Sequence, residues 1–224
     1  HLSTKKALDE VRRARADGQD VYVETCPQYL LLDDSRYSLP FEESCKYVMS
    51  PPLRKQEDQQ ALWQGLQNGE IDTIGTDHCS FNLAQKANGK DDFSKIPNGI
   101  PGVEHRPALI YTYGVCQGRI TKEKMAAVLS ENIARQFGLF PRKGVIQAGS
   151  DADVVVWDPT TEKILSAKNQ AHNVDNTPYE GMPVKGSAQY VFLRGKMVVE
   201  NGEVISEKQG QYLIRGQSEY FHRS

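Results

Sequence analysis

Apolar positions recur at helical spacing from the start of the chain. Ala7, Leu8, Val11 and Ala14 share one face, with Ser3 or Thr4 as a candidate N-cap and Gly18 as the stop, which predicts a helix ending at Ala16. The pattern then turns extended over Val21-Tyr22-Val23-Glu24-Thr25-Cys26, a strand ended by Pro27. Lys46-Tyr47-Val48-Met49 predicts a short strand halted by Pro51-Pro52. Glu57 to Asn68 predicts a helix with Leu62 and Leu66 inward and Gly69 at its end, and Asp72 to Thr76 the next strand. Helix, strand, helix, strand in this order argues for parallel βα units, an α/β fold.

Residues 82–102 are polar and punctuated by Gly and Pro, too long for a simple connection; ordered loops of this length after a strand often carry function. Helices are predicted over Val103 to Gln117 and Thr121 to Phe137, the second with Met125, Leu129, Ile133 and Phe137 at helical spacing. After Pro141 the character changes. Gly144 to Gly149, Ala152 to Trp157, Tyr190 to Leu193 and Lys196 to Val199 all read as strands, and Asn201-Gly202 is a hairpin turn. The pattern divides the chain into an α/β region over 1–140, a β region over 141–205 and a polar-aromatic arm over 206–224, with Gln211 to Ser224 as its end.

Composition narrows the class. The 224 residues carry 25% charged side chains and a net charge of −2, so bulk charge attracts neither nucleic acid nor an anionic membrane. No apolar run approaches the length of a membrane span. Cys26, Cys45, Cys79 and Cys116 form no C-x-x-C pair and read as reduced, mostly buried thiols of a cytoplasmic protein. The chain has no initiator Met and opens mid-pattern on a histidine, so it is expected to be a segment of something longer.

Two residues stand where chemistry is built. His1 precedes a helix, at the C-terminal lip of whatever strand came before, and Asp77 follows its own strand at the same kind of lip. In a parallel barrel both lips face one mouth. Imidazole nitrogen and carboxylate oxygen suit zinc, and the carboxylate can also move a proton. The alternative is an accidental terminus and a loop cap, and two ligands are too few for a complete site. His78 adjoins Asp77 but points elsewhere, as adjacent residues do, and reads as a loop residue. His105, His172 and His222 have no partners at ligand spacing, and Glu24 is either a loop-orienting residue or a buried paired carboxylate. Ser50-Pro51-Pro52 and Pro97-Asn98-Gly99 could present main-chain N–H and C=O groups to a small polar ligand; turn chemistry alone also explains them.

Taken together, Glu24-Thr25-Cys26-Pro27-Gln28-Tyr29-Leu30, Ser50-Pro51-Pro52-Leu53-Arg54, Thr76-Asp77-His78-Cys79-Ser80-Phe81 and Ile96-Pro97-Asn98-Gly99 resemble the dihydropyrimidinase/D-hydantoinase family of the amidohydrolase superfamily. Gly149-Ser150-Asp151-Ala152-Asp153-Val154-Val155-Val156-Trp157-Asp158 resembles the superfamily's tail signature. The resemblance implies the C-terminal part of a TIM-type (β/α)8 barrel followed by strands of a small β-sandwich. It implies two zinc ions bridged by a carboxylated lysine that lies upstream, with His1 as a zinc ligand and Asp77 as both ligand and general acid/base. It puts Ser50 and Asn98 at the positions that hold the substrate ring, largely through the main chain. The implied activity is hydrolysis of dihydropyrimidines or 5-substituted hydantoins by a homotetramer, the segment alone being inactive. Allantoinase-like enzymes, which usually carry His where this chain has Gln28, and non-catalytic scaffold relatives, which lose metal ligands, are the alternatives.

Overall fold

The computed structural model describes residues 1–218. The elements run α1 (Lys5–Ala16), β1 (Glu24–Thr25), α2 (Pro27–Leu31), α3 (Phe41–Ser44), α4 (Gln56–Gln67), β2 (Thr73–Ile74), α5 (Leu83–Ala87), α6 (Arg106–Ile110), α7 (Lys122–Ala126), α8 (Asn132–Gln136), β3 (Val154–Ile164), β4 (Pro183–Leu193), β5 (Lys196–Glu200) and β6 (Glu203–Val204). Thr4 caps α1, its hydroxyl accepting from the Ala7 N–H at 3.0 Å. Gly18, at φ +80°, turns the chain after it.

β1 and β2 pair in parallel, Glu24 opposite Thr73 and Thr25 opposite Ile74. The segment before α1 lies on the other edge of β1: the Leu2 N–H donates to the Glu24 carbonyl at 2.8 Å, and the Thr25 hydroxyl to the Leu2 carbonyl at 2.7 Å. Three neighbouring segments therefore share one face, with α1 and α4 packed behind them. Leu8, Leu62, Leu66 and Ile74 are fully buried there. Burying each such side chain is worth about 1.5–3 kcal/mol, against about 0–1 kcal/mol for an exposed ion pair such as Arg13–Glu10, so apolar packing holds this layer. Asp72, also buried, accepts from the Val23 N–H at 2.7 Å and from Arg15 at 2.8 Å, which ties α1, β1 and β2 together.

Several elements differ from the sequence pattern. Lys46 to Met49 is not a strand. Cys45–Tyr47 forms a 3₁₀ turn, and the Val48 carbonyl is taken by the Gly99 N–H rather than by a ladder. The long 82–102 connection holds α5 and a 3₁₀ turn, Phe93–Lys95. The helix expected over Val103 to Gln117 is α6 continued by a π-helical stretch, Tyr111–Val115. The next is α7, a second π stretch, Ala127–Glu131, and α8. A π turn adds a residue per turn and rotates the buried face. Val128 and Ala134 are accordingly buried, while Phe137 is exposed.

Beyond residue 141, Gly144 to Gly149 is not a strand, because both glycines have left-handed backbones, φ +84° and +91°. The remaining strands form one antiparallel sheet in the order β3-β4-β5-β6, and the Asn201-Gly202 turn joins β5 to β6. Gln211 to Ser218 runs without helix or strand, Gly216 donating to the Gly138 carbonyl at 2.8 Å. The rest of the expected arm, with His222, lies outside the described residues. Among the described residues no helix is long and apolar enough to cross a membrane.

Candidate active site

The parallel register decides what meets at the strand lips. Because residues 1–3 are pinned to β1 and β2 runs beside it, His1 and Asp77 converge, His1 Nε2 standing 3.6 Å from Asp77 Oδ1. Asp77 adopts a left-handed backbone, φ +49°, a conformation that Asp tolerates better than most residues and that marks a constrained loop. The preceding Thr76 carbonyl accepts from the buried Gln28 side chain at 3.3 Å.

Glu24 and Cys26 join this pair. His1 Nε2 is 3.9 Å from Glu24 Oε1, and ligand atoms of His1, Glu24 and Cys26 all lie within 4.8 Å of one another. Glu24 is not a buried paired carboxylate: its side chain is 43% exposed and lies beside His1. Gly75 makes room for it, since a Cβ there would fall 2.5 Å from the Glu24 carboxyl carbon. The sequence did hold a signal for this grouping, because Glu24 and Cys26 are two apart on a strand and share a face. Burial first, and the Glu24 carboxylate after it, push the Cys26 thiol up to about 12, so it stays protonated at neutral pH. All four cysteines are free; Cys26 and Cys45 are buried, whereas Cys79 and Cys116 are exposed, against the expectation of mostly buried thiols.

Ser50 and Asn98 lie on two loops that meet. The Gly99 N–H donates to the Val48 carbonyl at 3.1 Å, the Tyr29 hydroxyl to the Pro51 carbonyl at 2.9 Å, and the Cys79 N–H to the Ile100 carbonyl at 3.1 Å. Both residues are exposed, and among the described residues their main-chain N–H and C=O groups have no hydrogen-bond partner. Gly99 sits at φ +140°, and a Cβ there would stand 2.4 Å from the Cys79 carbonyl oxygen.

His78 Nδ1 accepts from the N–H groups of Gly102 and Val103, at 3.1 and 3.3 Å, which closes the long loop. His172 lies between His78 and His105, its ring tilted by 59° to each, with centroids 4.9 and 5.1 Å away. Burial lowers the pKa of both His105 and His172.

His1 and Asp77 thus meet where the parallel strands open into loops, and the Ser50 and Asn98 loops carry main-chain groups left open among the described residues. A family profile described as the amidohydrolase family matches residues 1–198, and the chain belongs to that family. Within it the chain is similar to hydantoinases. It is 45% identical to the D-hydantoinase of Geobacillus stearothermophilus over 96% of its own length and 46% of the relative's. It is 43% identical to a D-phenylhydantoinase of Escherichia coli, over 96% and 47%. The structure of a D-hydantoinase (dihydropyrimidinase) from Thermus sp. superposes with a TM-score of 0.94 at 45% identity, covering 99% of this chain and 48% of that one. The chain thus spans about half the length of the relatives it matches.

Proposed function

We propose that the protein containing this chain is a zinc-dependent cyclic amidohydrolase that opens dihydropyrimidines or 5-substituted hydantoins. The approach of His1 Nε2 to Asp77 Oδ1, 3.6 Å, carries the reading. Two donors about 2.0–2.2 Å from a tetrahedral zinc stand roughly 3.3–3.6 Å apart, so the pair fits one ion. The names of the hydantoinase relatives and Gln28, buried against the Asp77 loop, support this branch over an allantoinase. Retention of both donors speaks against a non-catalytic scaffold.

In this reading His1 and Asp77 hold metal. The remaining ligands, including a carboxylated lysine that bridges two zinc ions, come from sequence beyond this chain. When bound, zinc polarises the ring carbonyl and makes water a stronger nucleophile. Asp77, on an open lip, accepts the proton of the attacking water and delivers it to the ring nitrogen as the amide bond breaks. The main chains of Ser50 and Asn98 orient the ring. The reading also carries a barrel completed by the rest of the protein, a β-sandwich that includes β3 to β6, and a cytoplasmic homotetramer.

The test is Asp77→Asn in the full-length protein, assayed for ring opening of dihydrouracil and a hydantoin. Turnover should fall by several orders of magnitude while circular dichroism stays unchanged. Near-normal turnover in the metallated variant would rule out Asp77 as the proton carrier.

A further inference from the structure

Lys86 on α5 is 1% exposed, and among the described residues no carboxylate pairs with it. Its ammonium instead donates to three main-chain carbonyls: Val48 at 2.8 Å, Pro97 at 2.7 Å and Gly99 at 2.7 Å. An ammonium has three N–H donors, so all are used. Removing such a charge from water is expensive, and burial pulls its pKa down to about 8. The three acceptors bracket the two loops already described, two of them flanking Asn98 and the third lying two residues before Ser50.

Peptide geometry gives this node a consequence. In a trans peptide the C=O and the following N–H point in opposite directions. With the Pro97 carbonyl held on Lys86, the Asn98 N–H points away from the ammonium. With the Gly99 N–H held on the Val48 carbonyl, itself on Lys86, the Asn98 C=O also points away. A donor and an acceptor of one residue are thus aimed outward together, free of partners among the described residues, as a cyclic amide with adjacent N–H and C=O groups requires.

We propose that Lys86 is a positioning residue for substrate: by holding three carbonyls at one point it aims the Asn98 main chain, and the loop of Ser50, at the ring of the bound cyclic amide. The inference rests on the proposed function above. α5 is suited to carry such a residue because it is itself anchored, the Leu83 N–H donating to Asp175 at 2.9 Å and Asn176 to the Phe81 carbonyl at 2.8 Å.

The experiment uses the full-length protein with Lys86→Met, which keeps the length and removes the donors, and Lys86→Arg, which keeps the charge on a longer fork. Lys86→Met should raise KM for dihydrouracil by about tenfold or more with kcat changed far less, since binding geometry is lost and the proton carrier is retained. Amide hydrogen exchange at Gly99 should accelerate while β3 to β5 keep wild-type rates. Lys86→Arg should fall between the two, because a guanidinium cannot bring three donors to one point. A wild-type KM with wild-type exchange at Gly99 in Lys86→Met overturns the inference. If that variant does not fold, Lys86→Arg decides: a raised KM supports positioning, and a wild-type KM overturns it. Failure of the wild-type protein to open either ring sinks the functional reading and, with it, the role toward substrate; Gly99 exchange then still shows separately whether Lys86 fixes the loops.

Discussion

Gly99 and Ser50 ask opposite things of a side chain. At Gly99 the backbone is one that L residues rarely adopt, and a Cβ would meet the Cys79 carbonyl oxygen. At Ser50 neither the side chain nor the main-chain N–H and C=O has a hydrogen-bond partner among the described residues. If the ring is read through the backbone, truncating the serine should cost little and bending the Gly99 backbone should cost much. Ser50→Ala is expected to raise KM only about two- to threefold, within the range of one weak contact. Gly99→Val should cut kcat/KM by about tenfold or more, because the strain, on the order of 1–3 kcal/mol, is relieved by shifting the Gly99 backbone, and Asn98 with it, or the Cys79 loop after Asp77. Steady-state kinetics on both variants with dihydrouracil and a hydantoin check this. Loss of activity in Ser50→Ala with an unaffected Gly99→Val would assign the reading to the hydroxyl instead.

At the scale of elements, the loop after β2 is closed onto the 170–179 segment by imidazoles. His105 Nε2 lies 3.4 Å from Gln170 Oε1, His172 Nε2 accepts from the Glu104 N–H at 3.1 Å, and His78 Nδ1 accepts from the Gly102 and Val103 N–H groups ahead of α6. Burial lowers the His105 pKa, opposed by Glu104 and aided by His172; burial likewise lowers that of His172, with Glu104 opposing and His78 aiding. Below the ordinary histidine value near 6.5 the unfolded chain binds protons that the folded one resists. The stability from keeping these rings neutral is therefore present above that pH and is lost as pH falls through it. The Tm of the full-length protein should drop more steeply between pH 7 and 5.5 than that of His105→Gln. Parallel curves for the two proteins would show that His105 does not titrate with unfolding.

For the molecule as a whole, the parallel sheet of the described residues is two strands plus the His1 edge, and the lip offers His1, Asp77, Glu24 and Cys26, the last a protonated thiol. A two-zinc centre needs more nitrogen and oxygen donors than that. The 224-residue chain expressed alone should therefore bind zinc weakly, at well under two ions per chain, and expose sheet edges that promote aggregation. Metal analysis after dialysis and size-exclusion chromatography measure both. A soluble chain with two tightly held zinc ions would show that the segment completes its own site.

Local chemistry determined what the sequence alone could show. Caps and helical periodicity marked α1 and α4 to within a residue, because Thr4, Gly18, Leu62 and Leu66 act over a single turn. The Asn201-Gly202 turn was legible for the same reason, and so were His1 and Asp77 as lip residues, since each adjoins an element boundary. The strand expected at Lys46 to Met49 failed because its Val48 carbonyl is taken by Lys86 and Gly99 from the later loop and its Tyr47 carbonyl by the Tyr37 hydroxyl. The face of α7 and α8 shifted because a π turn is set by packing rather than by spacing. Glu24 and Cys26 join His1 only because the fold lays the segment before α1 along β1. Nothing in the sequence marks Lys86: its three partners are main-chain carbonyls, which carry no sequence signature, and only the folded chain gathers them at one point.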